Sequence, residues 1–144
     1  AHSRKRDVPQ AAEFAAAGAP LLEAQVADAV DSIAYDTHDV DDALGLGFIT
    51  LDDLKDVDLW GEAAAAVRAA HPALAGPPFR TAVVRDLLAR QVGDLLDETA
   101  RRLADRRVNS VEDVRAARHP LVGFGPEMDR RKAGLERFLR ERVY

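Results

Sequence analysis

Residues Glu23–Asp42 read EAQVADAVDSIAYDTHDVDD, alanine-rich and without Pro or Gly. That composition favours helix. Leu22, Val26, Ala29, Val30, Ile33 and Val40 recur at three- and four-residue steps, which predicts one apolar stripe. Asp31, Tyr35 and Asp39 stand at i, i+4 and i+8 on another face, flanked by Asp28 and His38. An exposed helix is steadied by alternating acids with Lys or Arg, yet no Lys or Arg occurs between Leu21 and Thr50. Asp is also a poor helix-interior residue. From the residues alone, two readings stay open. The row is a solvated acidic face, or it faces a metal ion or a cationic partner with the Tyr35 hydroxyl alongside.

The segment EAQVADAVDSIAYDTHDVDDAL resembles a helix of the deoxynucleoside triphosphate triphosphohydrolases of the HD superfamily, whose pattern is E-A-Q-[IV]-A-D-x-x-D-[DS]-I-A-Y-x-x-H-D-x-D-D. The resemblance implies that Asp31 is the last protein ligand of a catalytic metal. It implies that Tyr35 and Asp39 line the nucleotide pocket. His38-Asp39 spells an HD doublet, but in the family the metal-binding doublet lies on earlier helices. The implied cofactor is a divalent metal ion; mixed His and carboxylate ligands suit Mn, Fe or Co, and all-oxygen sites suit Mg. The implied reaction cleaves a deoxynucleoside triphosphate to deoxynucleoside and triphosphate. The implied assembly is a homo-oligomer.

Further matches run toward the C-terminus. LVGFGPEM from Leu121 is similar to the family's L-V-x-F-x-P-x-M, and FLRERVY resembles its closing F-L-x-x-x-[MV]-Y. RDLLARQV stands where the family often has R-R-L-I-G-x-M-V, so Arg85 takes the first Arg and Asp86 replaces the second. That departure weakens phosphate contact through Arg85; Arg80, one turn earlier, is the alternative, and an exposed helical Arg is the plain reading of both. The resemblance thus reaches from the first helix to Tyr144. It implies the helical C-terminal part of such an enzyme, including its phosphohydrolase-associated region.

The 144 residues suffice for one domain. Aromatics are 6% while hydrophobic residues are 47%, so the core must be built largely from small side chains on packed helices. The net charge of −5 lacks a nucleic-acid footprint. The absence of Cys excludes disulfides and thiolate metal sites and is compatible with the cytoplasm. No run approaches the ~18 apolar residues of a membrane span.

The periodicity predicts an all-α chain: residues 1–19 as a connecting segment and residues 20–144 as a helical domain. Helices are expected from about Pro20 to Ala43, over Leu51–Val57 behind a Thr50 cap, over Glu62–His71 after Trp60 and Gly61 and before Pro72, from Phe79 to about Arg107, after Ser110, and from about Glu127 onward. Val83, Val84, Leu87, Leu88, Val92, Leu95 and Leu96 are the expected buried stripe of the longest helix, and Trp60 reads as a packing anchor rather than a base-stacking platform. The basic cluster at His2–Arg6 reads as a surface loop, with His2 solvated.

The chain opens AHSRKRDVPQ without an initiator Met, as though cut from a longer one. Lacking the family's upstream ligands, it would hold a single ligand of the metal set, and the expectation is an inactive fragment. A non-catalytic helical interaction or regulatory module is the alternative. A small complete metallohydrolase built on His2, His38 and the α-helical carboxylates is the remote third, because the His38–Asp31 spacing would force a pocket to close around one helix.

Overall fold

The computed structural model describes residues 18–144. Residues 1–17, with His2 and the basic cluster, lie outside the described residues. Five helices follow in order among the described residues: α1 Leu22–Gly45, α2 Asp58–Ala70, α3 Gly76–Asp105, α4 Val111–Ala116 and α5 Pro126–Arg142. No strand occurs among them, so the fold is all-α, as the periodicity predicts.

The punctuation residues act where they stand. Gly47 takes φ +75° just past α1, where the Phe48 N–H donates to the Ala43 carbonyl at 2.9 Å; a side chain there would be strained. Prolines open α3 and α5, where a missing N–H costs nothing. Ser110 caps α4 by accepting from the Asp113 N–H at 3.2 Å. Thr50 and Asp53 form the expected reciprocal pair: the Thr50 N–H donates to the Asp53 carboxylate at 2.8 Å and the Asp53 N–H to the Thr50 hydroxyl at 3.3 Å. The helix expected behind that cap does not form. Residues 51–56 make successive turns, with Lys55 N–H to Asp52 C=O and Val57 N–H to Leu54 C=O bonds. Burial of Leu54 and Val57 holds this segment tight against the core without a helical repeat.

α1 packs on α3 and α5, and α2 packs on α3 and α5. α1 and α3 run antiparallel: Asp41 meets Arg80 at one end, and Leu22 shares a surface hollow with Leu103 at the other. Ile33, Val40, Leu54, Leu59, Trp60, Val83, Leu87, Leu135 and Leu139 make the centre of the core. Trp60 is 2% exposed, so it is a packing anchor and presents no face to a base.

Two predicted stripes are only partly buried. On α1, Val26 and Val30 are 43% and 46% exposed, and the buried face is Ile33, Asp36, Thr37, Val40 and Ala43. On α3, Leu88, Val92 and Leu96 are exposed, the last by 64%. Their i, i+4, i+8 row turns away from the Val83–Leu87–Leu95 line that α1 and α2 cover. Val26 and Val30 on α1 and Leu88, Val92 and Leu96 on α3 are thus apolar side chains that the described residues leave in solvent.

Glu98 braces the C-terminal half of α3. It accepts from Arg101 at 2.7 Å and from Arg102 at 2.8 Å, and Arg102 in turn donates to the carbonyls of Pro120 and Phe124. Hydrogen bonds from Arg101 and Arg102 hold the Glu98 carboxyl down from its ordinary 4.5 to about 2. A depressed folded value means that Glu98 adds stability above pH 4.5 and loses it as pH falls toward about 2. Glu98→Gln is therefore expected to lower Tm at neutral pH, with the gap to wild type closing over that acid window. Thermal melts across pH check this; a gap that stays constant below pH 4.5 contradicts it.

Candidate functional site

α1 has two opposite characters. Its inner face is buried through Ile33, Asp36, Thr37, Val40 and Ala43. Its outer face carries Asp31, exposed, Tyr35, 69% exposed, and Asp39, half-buried. None of these three has a hydrogen-bond or ion-pair partner among the described residues, and His38 beside them is exposed. The row is thus unengaged by the fold that carries it.

The inner and lateral faces are tied down at three places. Gln25 donates through Nε2 to the Pro20 carbonyl at 2.8 Å, and its Oε1 accepts from the N–H groups of Leu121 and Val122 at 2.9 and 3.2 Å. Arg80 of α3 meets Asp41 at 3.1 Å, an ionic contact whose N–H is off the hydrogen-bond axis. Lys132 of α5 is paired with Asp36 inside the molecule. Burial pushes the Asp36 carboxyl up, and the hydrogen bond and charge of Lys132 oppose that push. Asp39 is close enough to add to the upward shift.

Of the residues that sequence points to, the helix brings Asp31, Tyr35 and Asp39 into one row. Arg80 also reaches α1, at its C-terminal end, but is engaged by Asp41. Arg85 is exposed and has no partner among the described residues. Nothing brings these two arginines to Asp31. Sequence reading missed Asp36 and Lys132. Their signal was positional: Asp36 falls between Ile33 and Val40 on the inner stripe, and Lys132 between Met128 and Leu135.

A cavity of about 630 Å³ lies beside the row, between the first half of α1 and residues 117–124. Asp28, Ser32, Arg102, Arg118 and Asp129 line it over a floor that includes Phe124. Neither Asp31 nor Tyr35 reaches it. Among the described residues no three His, Cys, Asp or Glu side chains converge as a metal site. Asp31 fits a metal only as one free carboxylate of a larger set, because tight binding needs several converging ligands.

The chain is 45% identical over 122 residues to a deoxyguanosinetriphosphate triphosphohydrolase-like protein of Caulobacter vibrioides, a match covering 85% of this chain and 31% of the relative. Proteins of the same name from Thiobacillus denitrificans and Geobacter sulfurreducens are 42% and 37% identical over 125 residues, covering 87% of this chain and 33% and 32% of their own lengths. The chain is a relative of the deoxyguanosinetriphosphate triphosphohydrolase-like proteins. It spans about a third of the length of these curated relatives. No protein-family model matches it. The α1 resemblance to triphosphohydrolases therefore extends over most of the chain. No helix among the described residues is long and apolar enough to cross a membrane.

Proposed function

We propose that this chain is the C-terminal helical part, residues 20–144, of a metal-dependent deoxynucleoside triphosphate triphosphohydrolase. The reaction is hydrolysis of a deoxynucleoside triphosphate to deoxynucleoside and triphosphate. The observation that carries the reading is the unpartnered Asp31–Tyr35–Asp39 row on a helix whose other faces are clamped. A carboxylate kept free of every local cation is suited to a cation from outside the described residues.

Asp31 serves as one ligand of a divalent ion, Mg, Mn, Fe or Co. Tyr35 and Asp39 offer a hydroxyl donor and a carboxylate acceptor to the nucleotide, one turn apart. Arg85 is free to meet a phosphate; Arg80 would first have to leave Asp41. The remaining ligands come from outside these residues, so the chain alone is inactive. The setting is cytoplasmic. The exposed apolar side chains Val26 and Val30 on α1 and Leu88, Val92 and Leu96 on α3 favour burial against further protein, and a homo-oligomer is one form of it. The same exposed side chains support the second reading, a non-catalytic helical interaction module.

Triphosphate release from dGTP separates the two. The full-length protein is expected to release triphosphate with Mn or Mg and to stop on chelation, while the 144-residue chain releases none. A metal-loaded full-length protein with no turnover on any deoxynucleoside triphosphate leaves the interaction module. Chelator-sensitive turnover by the short chain alone overturns the incomplete site.

A further inference from the structure

Lys132, among the described residues, is a buried charge that the proposed chemistry does not use and that simple packing does not explain. Its side chain is only 6% exposed. Lysine is almost never buried that far unless it is paired. Its ammonium donates to the Asp36 carboxylate, lies 3.0 Å from the Glu136 carboxylate and donates to the Ser32 carbonyl at 3.4 Å. The Phe124 ring centroid is 6.0 Å away. Two hydrogen bonds and one further ion-pair contact thus engage the ammonium.

Two of those acceptors, Ser32 and Asp36, are on α1, one turn apart. A contact to one point of a helix leaves the helix free to roll and slide. Contacts to two points a turn apart fix both rotation and axial position. Ser32 is next to Asp31, and Asp36 is next to Tyr35. A salt bridge in this setting contributes little net stability, since desolvation of both ions offsets their attraction. Its distinctive property is direction: apolar contacts tolerate a roll, while a buried ion pair does not.

We propose that Lys132 is a positioning residue that locks the roll and register of α1 on α5, and so sets where Asp31, Tyr35 and Asp39 stand. This rests on the functional reading given above for those three residues. Gln25 and Arg80 hold the two ends of α1; Lys132 holds its middle, behind the row.

The test replaces the pair by apolar residues of similar size, Asp36→Leu with Lys132→Met. That swap removes the direction and leaves no buried charge unpaired. The chain contains no Cys, so Asp42→Cys on α1 and Arg140→Cys on α5, both exposed, take spin labels at those two sites alone. The expected result is a narrow inter-label distance in the otherwise unchanged chain. In the double replacement the distance shifts or broadens, with helicity and Tm kept. An unchanged distribution in the folded variant overturns the proposal. Should the apolar pair fail to fold, Asp36→Asn with Lys132→Gln is the variant measured, with the same two outcomes.

In the full-length protein, the apolar pair is expected to lower kcat/KM for a deoxynucleoside triphosphate by at least about tenfold, the scale of a small misplacement of catalytic groups. Wild-type kcat/KM in a folded variant overturns the proposal. If the unaltered full-length protein has no turnover, the functional reading fails instead, and the label distances alone decide the role of Lys132.

Discussion

Asp31→Asn in the full-length protein is expected to strip the metal and lower turnover at least about 100-fold, the scale on which loss of one group stabilising transition-state charge is felt. The fold should not notice. Asp31 is exposed and has no hydrogen bond or ion pair among the described residues, so stability should move by no more than about 0.5 kcal/mol. Asn has nearly the helix propensity of Asp. It also removes like-charge crowding with Asp28, a turn away, so a slight gain is the expected sign. Two neighbours make the result specific. Tyr35→Phe removes only a hydroxyl and should weaken nucleotide binding or turnover with metal retained. Asp39→Ala should do the same. Metal analysis, dGTP hydrolysis and thermal melts on all three variants check the set. Full metal occupancy and a near-normal rate in Asp31→Asn would reduce the row to a solvated acidic face.

Trp60→Ala is expected to have the largest effect on stability, a loss of about 3–5 kcal/mol. Trp60 is 2% exposed at the start of α2, where that helix enters the shared core of α1, α3 and α5. Alanine there leaves a void that few neighbours can fill, because small residues such as Ala63 and Ala64 already form the adjoining wall. The corresponding fall in Tm is about 10 °C or more. Calorimetry or a circular-dichroism melt of the 144-residue chain measures it. A base-stacking role would give the opposite pattern, with unchanged Tm and weakened nucleotide affinity.

Much of this molecule was legible in its letters, and the reason is local. Helix formation depends on propensity and on contacts three and four residues apart, so the all-α class and the row Asp31, Tyr35, Asp39 follow from spacing alone. The relatives support the family that the α1 motif suggested. The residues 51–56 misled because a cap pattern marks where a helix could start; burial of Leu54 and Val57 then favoured a run of turns.

The sequence by itself therefore determined that α1 is a helix with an acidic outer row and no cation of its own. Only the tertiary structure decided which way that helix is rolled. Its pattern nominated Val26 and Val30 for the core, yet both stay exposed and Asp36 and Thr37 go inside. Thr37 is buried because its hydroxyl donates to the Ile33 carbonyl at 2.7 Å. Asp36 is buried because a lysine 96 residues away supplies the opposite charge. A polar residue joins a core only when its partner is there to meet it. No local window of sequence contains that partner, since folding alone brings α5 onto α1.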